Sequence, residues 1–480
     1  MMTRNKMLIN GMWCDAATQD TFDVINPRDE SVLTRVPAAG AADIDAAISA
    51  ADLAFPVWAS LTPFQRGRFL RDASQIVLER KDEIGRLMSL EQGKSVQEAT
   101  GEVVKGADIL RFYAEEGERV HGKIIANEEE NTTSRVIYQA LGVAAAISPW
   151  NYPIELLAWK VGAALAAGCT LVAKLPSETP LSPLAFLACL ADAGLPDGVV
   201  NALTGSGASI GPALIGDPRV KKVAFTGSTA VGKSVLGYCT ANLTKSSMEL
   251  GGSLPMLVFN DCDLEAAVKG AVRRSFRNMG QICIAINRIY VQRDIYETFL
   301  NRMTEQTRQL IIGDGLDEPA DLGPMCTGRG RRTVVAHIED ALARGASLRC
   351  GGRIPEGREK GFWFEPTIVA DVRQDMLMMR EETFGPVVGV MPFDTIDEAI
   401  ALANDTPYGL AAMVYTQNLT IAERCALEIN TGNVAVNNPD PGVINAPYGG
   451  IKASGFGKEH GTEGLYEYLY AKHIRVRVLP

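Results

Sequence analysis

The chain is poor in histidine: its four residues, His121, His337, His460 and His473, are too scattered to suggest a histidine-based metal site. Any chemistry is pushed onto Cys, Glu, Lys or Asn. Paired CxxC cysteines are also absent. The nine cysteines, at 14, 169, 189, 239, 262, 283, 326, 350 and 425, are odd in number and irregular in spacing, so neither a disulfide framework nor a zinc site is indicated. A reducing cytoplasm is the expected compartment. Positive charge is not in surplus either. Lys plus Arg total 47 against 57 for Asp plus Glu, a net charge of −10, which argues against nucleic acid or an anionic membrane as main partner. Charged residues or proline interrupt every apolar run before about 18 residues, the length a membrane span needs. The first residues, MMTRNKMLINGMWCD, carry no apolar signal-peptide core, so neither secretion nor membrane insertion is expected.

What is present is an ordinary globular composition, 46% hydrophobic and 22% charged, over 480 residues. That length is about three times a usual domain of roughly 150 residues, so two or three domains are expected. Forty-six glycines fit many tight strand-to-helix turns. No internal repeat or low-complexity segment occurs. KMLI and MWCD flank Asn10-Gly11, which predicts a two-residue hairpin turn. Asp43 to about Val120 reads as amphipathic helices, with Ile44, Ile48, Ala51 and Phe55 at helical spacing. The polar stretch ANEEENTTSRVIYQALG then predicts a protruding hairpin.

Beyond it, strand and helix alternate. GVAAAIS, TLVAK, GVVNALTG and KKVAFTG are apolar strands joined by helices at 154–167, at 181–193 and near Ile210, with a further helix from Val231. That order implies right-handed crossovers and a parallel, doubly wound α/β sheet whose ligands sit at the carboxyl ends of its strands. A second α/β stretch follows from about Leu250. The tail alternates Ile474, Val476 and Val478, a strand without an evident local partner, for which another subunit is one candidate.

Five places could carry chemistry. Phe225-Thr226-Gly227-Ser228-Thr229-Ala230-Val231-Gly232 joins a strand to a helix, a phosphate-binding turn or a plain one. Lys174 ends TLVAK, facing a ribose or solvent. Pro149-Trp150-Asn151-Tyr152-Pro153 opens a helix, where Asn151 could cap it or donate to an oxyanion. Met248-Glu249-Leu250-Gly251-Gly252 sets a carboxylate at the apparent domain junction. Gly280-Gln281-Ile282-Cys283 puts a cysteine in a loop after a helix, either a nucleophile or a buried inert thiol.

Together, PWNYP, FTGSTAVG, MELGG, FRNMGQIC, EETFGP and YGGIKASGFG resemble motifs of the aldehyde dehydrogenase superfamily, in family order and nearly end to end. FRNMGQIC, GDGLDE, ANDTPYGLAA and GGIKASGFGKE look most like its succinate-semialdehyde dehydrogenase branch. The resemblance implies a Rossmann-like parallel-sheet cofactor domain (1–120 and 141–250), an α/β catalytic domain (251–445) and a small β oligomerisation element (121–140 and 461–480), assembled as a dimer or tetramer. It implies NAD- or NADP-dependent oxidation of a small-molecule aldehyde to the acid, with no metal. Cys283 would be the nucleophile, partly exposed in a polar setting that favours its thiolate. Asn151 and the Cys283 N–H would hold the oxyanion, Glu249 would be the base, and Lys160 would support them from the helix after Asn151.

For the cofactor, the resemblance implies Gly227 and Ser228 at the pyrophosphate, Lys174 at the adenosine ribose, and Glu382 with Phe384 at the nicotinamide end, beside Trp150. Strictly NAD-preferring relatives often carry Glu three residues after the strand-end lysine; here Ser177 stands there and the acid moves to Glu178, so NADP is expected to be accepted. The substrate pocket departs from the succinate-semialdehyde pattern: Trp159 replaces an arginine, and the loop containing Gly442 and Val443 lacks serines. Arg277 keeps its place six residues before Cys283 and could pair with a substrate anion. A short anionic aldehyde is expected: succinate semialdehyde, glutarate semialdehyde or sulfolactaldehyde. With Ile284-Ala285 after Cys283, the second cysteine of a local redox switch is missing. A CoA-acylating relative would not need Glu249, and an inactive relative would show damage at Cys283, Glu249 or Asn151.

Overall fold

A computed structural model describes residues 5–478. The Asn10-Gly11 turn forms as expected, both residues at positive φ (51° and 75°), between strands Met7–Ile9 and Met12–Cys14. This hairpin closes one edge of an eight-stranded sheet. Its order is Gly455–Phe456, Lys245–Glu249, Val220–Thr226, Val143–Ile147, Thr170–Lys174, Val200–Leu203, then the hairpin. The five central strands are parallel. Helices on both faces bury them, which is why Ala144, Ala145 and Ala146 are apolar without alternation. Helices Glu155–Ala167, Leu181–Asp192, Gly207–Gly216 and Thr229–Cys239 make the connections, and four earlier helices run from Ala41 to Gly117.

The second sheet has seven strands: Ser347–Cys350, Thr367–Ala370, Val387–Phe393, Ile286–Gln292, Leu254–Val258, Ala411–Tyr415 and Asn433–Val436, parallel except for the first. Its core, from Leu254 to Tyr448, is separate from the two clusters that flank the first sheet. The tail strand, which has no local partner, pairs within its own chain. Leu469–Arg477 lies antiparallel to Thr132–Ala140, which also pairs with Lys123–Ile125, so the polar hairpin and the tail form one small sheet. Among the described residues no single helix is long and apolar enough to cross a membrane, and no group of His, Cys, Asp and Glu side chains is placed to hold a metal ion.

Candidate active site

Helix Glu155–Ala167 starts without a side-chain cap from its own turn. Its first amides, Ile154 N and Glu155 N, donate instead to Glu102 Oε1 at 2.9 and 3.1 Å. The other Glu102 oxygen receives Lys94 Nζ at 2.5 Å, and Lys94 also donates to the Asn151 carbonyl at 2.9 Å. Capping by a remote carboxylate releases the Asn151 side chain. Its Nδ2 donates to the Gln281 carbonyl at 2.9 Å, which identifies the nitrogen, since that carbonyl can only accept. One amide N–H is thus tied down and the second is left for the cavity.

The cysteine loop is braced against the same asparagine. After helix Leu264–Phe276 the backbone takes three left-handed residues, Asn278, Met279 and Gly280, with φ of 48°, 57° and 65°. A Cβ at Gly280 would lie 2.1 Å from the Gly385 carbonyl, so only glycine fits this turn. Asn278 Nδ2 donates to the Asn151 carbonyl at 2.9 Å, while its Oδ1 accepts from Gln92 at 3.0 Å. Strain at Met279 persists because these bonds over-determine the loop.

Two cavities meet at Cys283. The larger, about 410 Å³, runs between the sheets' carboxyl ends and the loop around Gly442; the smaller, about 250 Å³, opens past Trp150 and Ser228. Asn151, Thr226, Glu249 and Cys283 line both. Glu249 is the last residue of its strand and is buried. Both its oxygens and Asn151 Oδ1 have no hydrogen-bond partner among the described residues. Orphaned buried polar atoms cost about 1–3 kcal/mol each, so three beside one thiol mark a place built for a ligand.

The electrostatics differ from expectation in one respect. Cys283 is partly exposed as expected, yet its setting does not favour the thiolate: burial, then the Glu382 carboxylate, push the thiol up to about 12, with the Tyr448 hydroxyl opposing. Burial, then Glu459, holds the Glu249 carboxyl well above the usual range, and Lys160 opposes. That opposition is limited because Lys160 Nζ is committed to Glu459 Oε1 and Thr226 Oγ1, both at 2.6 Å. Glu382 rises to about 7 through burial, although it accepts from Gly252 N at 3.0 Å.

On the smaller cavity, Trp150 and Phe384 meet edge to face at 5.5 Å, and Gly227, Ser228 and Glu382 complete the wall. Two expected phosphate contacts have competing duties. Gly227 N donates to the Glu249 carbonyl at 3.0 Å, so its N–H is not free for pyrophosphate; Ser228 Oγ caps helix Thr229–Cys239, accepting from Val231 N at 3.4 Å. Lys174, Ser177 and Glu178 lie outside both cavity walls, at the end of the adjacent strand. Lys174 is buried and has no hydrogen-bond partner among the described residues; burial lowers its pKa against Glu178. Ser177 Oγ donates to the Gly205 carbonyl at 2.9 Å. It can donate to a phosphate only by giving up that bond. Glu178 is exposed.

Trp159, Arg277, Gly442 and Val443 all line the larger cavity. Arg277 is already occupied, donating to Glu98 Oε1 at 3.0 Å beside the Tyr152 ring, and Arg274 pairs with Asp440. Lys105, which the sequence reading passed over, lines the same cavity with its Nζ 6.0 Å from the Trp159 ring centre and no ion-pair partner among the described residues. Its signal was helical spacing: Gly101 and Lys105, four apart on helix Val96–Gly117, share the cavity face. Tyr448, Glu459 and His460 were also missed. The His460 ring stacks on Trp159 at 3.6 Å and on Tyr448 at 4.8 Å, with Nδ1 3.1 Å from the Val443 carbonyl.

A thiol, a spare amide N–H and a buried carboxylate around one point, with two approaches, make a site for covalent chemistry on a carbonyl. The aldehyde dehydrogenase family model matches residues 13–474. The chain is 42% identical over 474 residues to the NADP(+) succinate-semialdehyde dehydrogenase GabD of Escherichia coli K12, covering 98% of this chain and 97% of that one. It is 41% identical to glutarate-semialdehyde dehydrogenase of Pseudomonas putida KT2440 (99% and 98% covered) and 40% identical to 3-sulfolactaldehyde dehydrogenase of Pseudomonas putida (98% and 97% covered). Among solved structures, betaine aldehyde dehydrogenase of Staphylococcus aureus in complex with NAD+ superposes with a TM-score of 0.96 at 34% identity, over 99% of this chain and 95% of that one.

Proposed function

The chain belongs to the aldehyde dehydrogenase family, and from that premise we propose that it oxidises a short, anionic aldehyde to the carboxylic acid, with NAD or NADP as hydride acceptor. The observation that carries this reading is the meeting of two cavities on Cys283, between Asn151 and Glu249. The aldehyde enters by the larger. The residues of the smaller fit a nicotinamide dinucleotide, with the Trp150 and Phe384 rings walling a flat group. Outside that wall, at the end of the adjacent strand, the buried Lys174 ammonium has no hydrogen-bond partner among the described residues and could meet a ribose hydroxyl or 2′-phosphate.

Cys283, once deprotonated, adds through Sγ to the aldehyde carbon, and the carbonyl oxygen becomes an oxyanion received by the second Asn151 N–H and the Cys283 backbone N–H. A nicotinamide held beside Trp150 and Phe384 would supply the acceptor for the hydride leaving that carbon. A thioester is left on Cys283. Glu249 takes a proton from water as the water attacks the thioester, the acid departs, and the thiol is restored. Lys160, paired with Glu459, offsets part of the repulsion that Glu459 exerts on Glu249. The same reading assigns 1–120 with 141–250 to cofactor binding and 251–445 to catalysis. It assigns 121–140 with 461–480 to assembly as a dimer or tetramer, supported by exposed Ile124, Ile125, Tyr470 and Val476 on that small sheet.

The three relatives' names pair short aldehydes with a carboxylate or sulfonate. Lys105, unpaired, is the better anchor for such an anion than Arg277, whose charge is shared with Glu98. Lys105→Ala is expected to raise KM for succinate semialdehyde roughly tenfold, about 1.4 kcal/mol, and Arg277→Ala by less, while butanal is spared. Steady-state kinetics on both aldehydes check this; equal rises for charged and neutral substrates would remove the anionic reading.

Turnover with NADP at saturating aldehyde is expected in the native enzyme. Ser177→Glu should cut kcat/KM for NADP at least tenfold, since a carboxylate there repels a 2′-phosphate, and leave NAD nearly unchanged. No NADP turnover in the native enzyme would end that reading.

A further inference from the structure

We propose that the Tyr448 hydroxyl is a catalytic hydrogen-bond donor to the Cys283 sulfur, stabilising and aiming the thiolate. This rests on the reading of Cys283 as nucleophile. Tyr448 is buried, and Cys283 Sγ, at 3.9 Å, is the only hydrogen-bond partner of its hydroxyl among the described residues. A thiolate can only accept, so in the reactive form the proton must come from tyrosine.

The remaining charged neighbours of the sulfur do not favour its anion. Glu382 from the loop before Phe384, Glu249 from the strand end and Glu155 from the helix start all disfavour the anion. Arg274 acts on Tyr448 but is paired with Asp440. His460 brings no charge, because burial pushes it down to about 3. Among the groups that act most on the sulfur, the Tyr448 hydroxyl is the one that favours the thiolate.

Tyr448 is also held in place as a donor must be. Its backbone N and O exchange 2.8 Å hydrogen bonds with Glu459, whose carboxylate binds Lys160. Its ring lies against His460, which in turn lies on Trp159, with interplanar angles of 20° and 18°. His460 keeps its place in this stack at a φ of 57°, a conformation unfavourable for a residue with a side chain. The stack fixes the ring plane and the strained backbone fixes the stack. A phenylalanine would keep both and lose only the hydroxyl.

The experiment is the pH dependence of Cys283 alkylation by iodoacetamide in the full chain, followed by the mass of the peptide carrying Cys283 so that the other cysteines do not interfere. Tyr448→Phe is expected to raise the apparent pKa of alkylation by about one unit, a tenfold slower reaction at a fixed pH below it. It should also lower kcat with succinate semialdehyde while leaving KM and the melting midpoint nearly unchanged. Tyr448→Leu, which also removes the stack, should add a rise in KM. Superimposable alkylation profiles for native enzyme and Tyr448→Phe would overturn the proposal. Because alkylation needs no turnover, this outcome is distinct from failure of the aldehyde-oxidation reading, which would appear as turnover persisting without Cys283.

Discussion

Cys283→Ala should abolish acid formation, a fall in kcat of roughly four orders of magnitude or more, as expected where a covalent nucleophile is removed from a group that acts as a unit. The cavities hold no second thiol. Thr226 Oγ1 is held by Lys160, the Tyr152 hydroxyl donates to Glu98 at 2.9 Å, and none of the other eight cysteines lines either cavity. The variant should fold, because the loop is braced by Asn278, Gln281 and Gly280 rather than by the thiol. It should also bind cofactor with nearly unchanged affinity, since Cys283 is one of many residues that line the smaller cavity. Reduced nicotinamide and acid product, measured together with cofactor titration, check both halves. Acid formed above the uncatalysed rate would remove Cys283 from the chemistry.

The family motifs singled out Cys283 together with Asn151 and Glu249, and why the contacts around them were not legible is a matter of range. The loop after Leu264–Phe276, the glycine-rich turn at Gly227 and the Asn10-Gly11 hairpin are local patterns, and all three are found where their spacing placed them. The features that decide the site's electrostatics are contacts between distant residues. Whether Asn151 caps a helix or faces a ligand depends on Glu102, which does the capping from another helix. Arg277 reads as a free cation until Glu98 is placed beside it, and Ser177 as a free donor until the Gly205 carbonyl is. The thiol was expected in an anion-favouring setting because its chemistry needs one. The fold instead brings three carboxylates from separate elements towards it and leaves the donor's part to Tyr448. The tail strand lacked a visible partner because that partner, Thr132–Ala140, lies more than 300 residues earlier.

Glu249→Gln should separate the two halves of the reaction. Acylation needs the thiolate, the oxyanion donors and the hydride acceptor, none of which is Glu249; hydrolysis needs a base for water. A burst of reduced nicotinamide close to one equivalent per site is therefore expected, followed by a steady rate lower by about 10²–10⁴-fold. The acyl group should be detectable as added mass on Cys283. The carboxylate suits this late duty because its site is closed. Both oxygens are buried without partners, and a Cβ at Gly449 would stand 2.7 Å from Oε1, so the backbone comes up against the carboxylate where a side chain would obstruct it. Glutamine is nearly the same size and should be accommodated. The pH profile has a definite sign. Cys283 and Glu249 both act as anions and both have raised pKa values, the thiol to about 12, so each is increasingly in its working form as pH rises. The native steady-state rate should accordingly climb from acid through neutral pH. In Glu249→Gln the burst rate should keep the rise that comes from Cys283, while the residual steady rate loses the part that came from Glu249. Rapid-mixing kinetics across pH resolve the two phases. A variant that turns over at the native steady rate, with no burst and no acyl mass, would show that Glu249 is not the base.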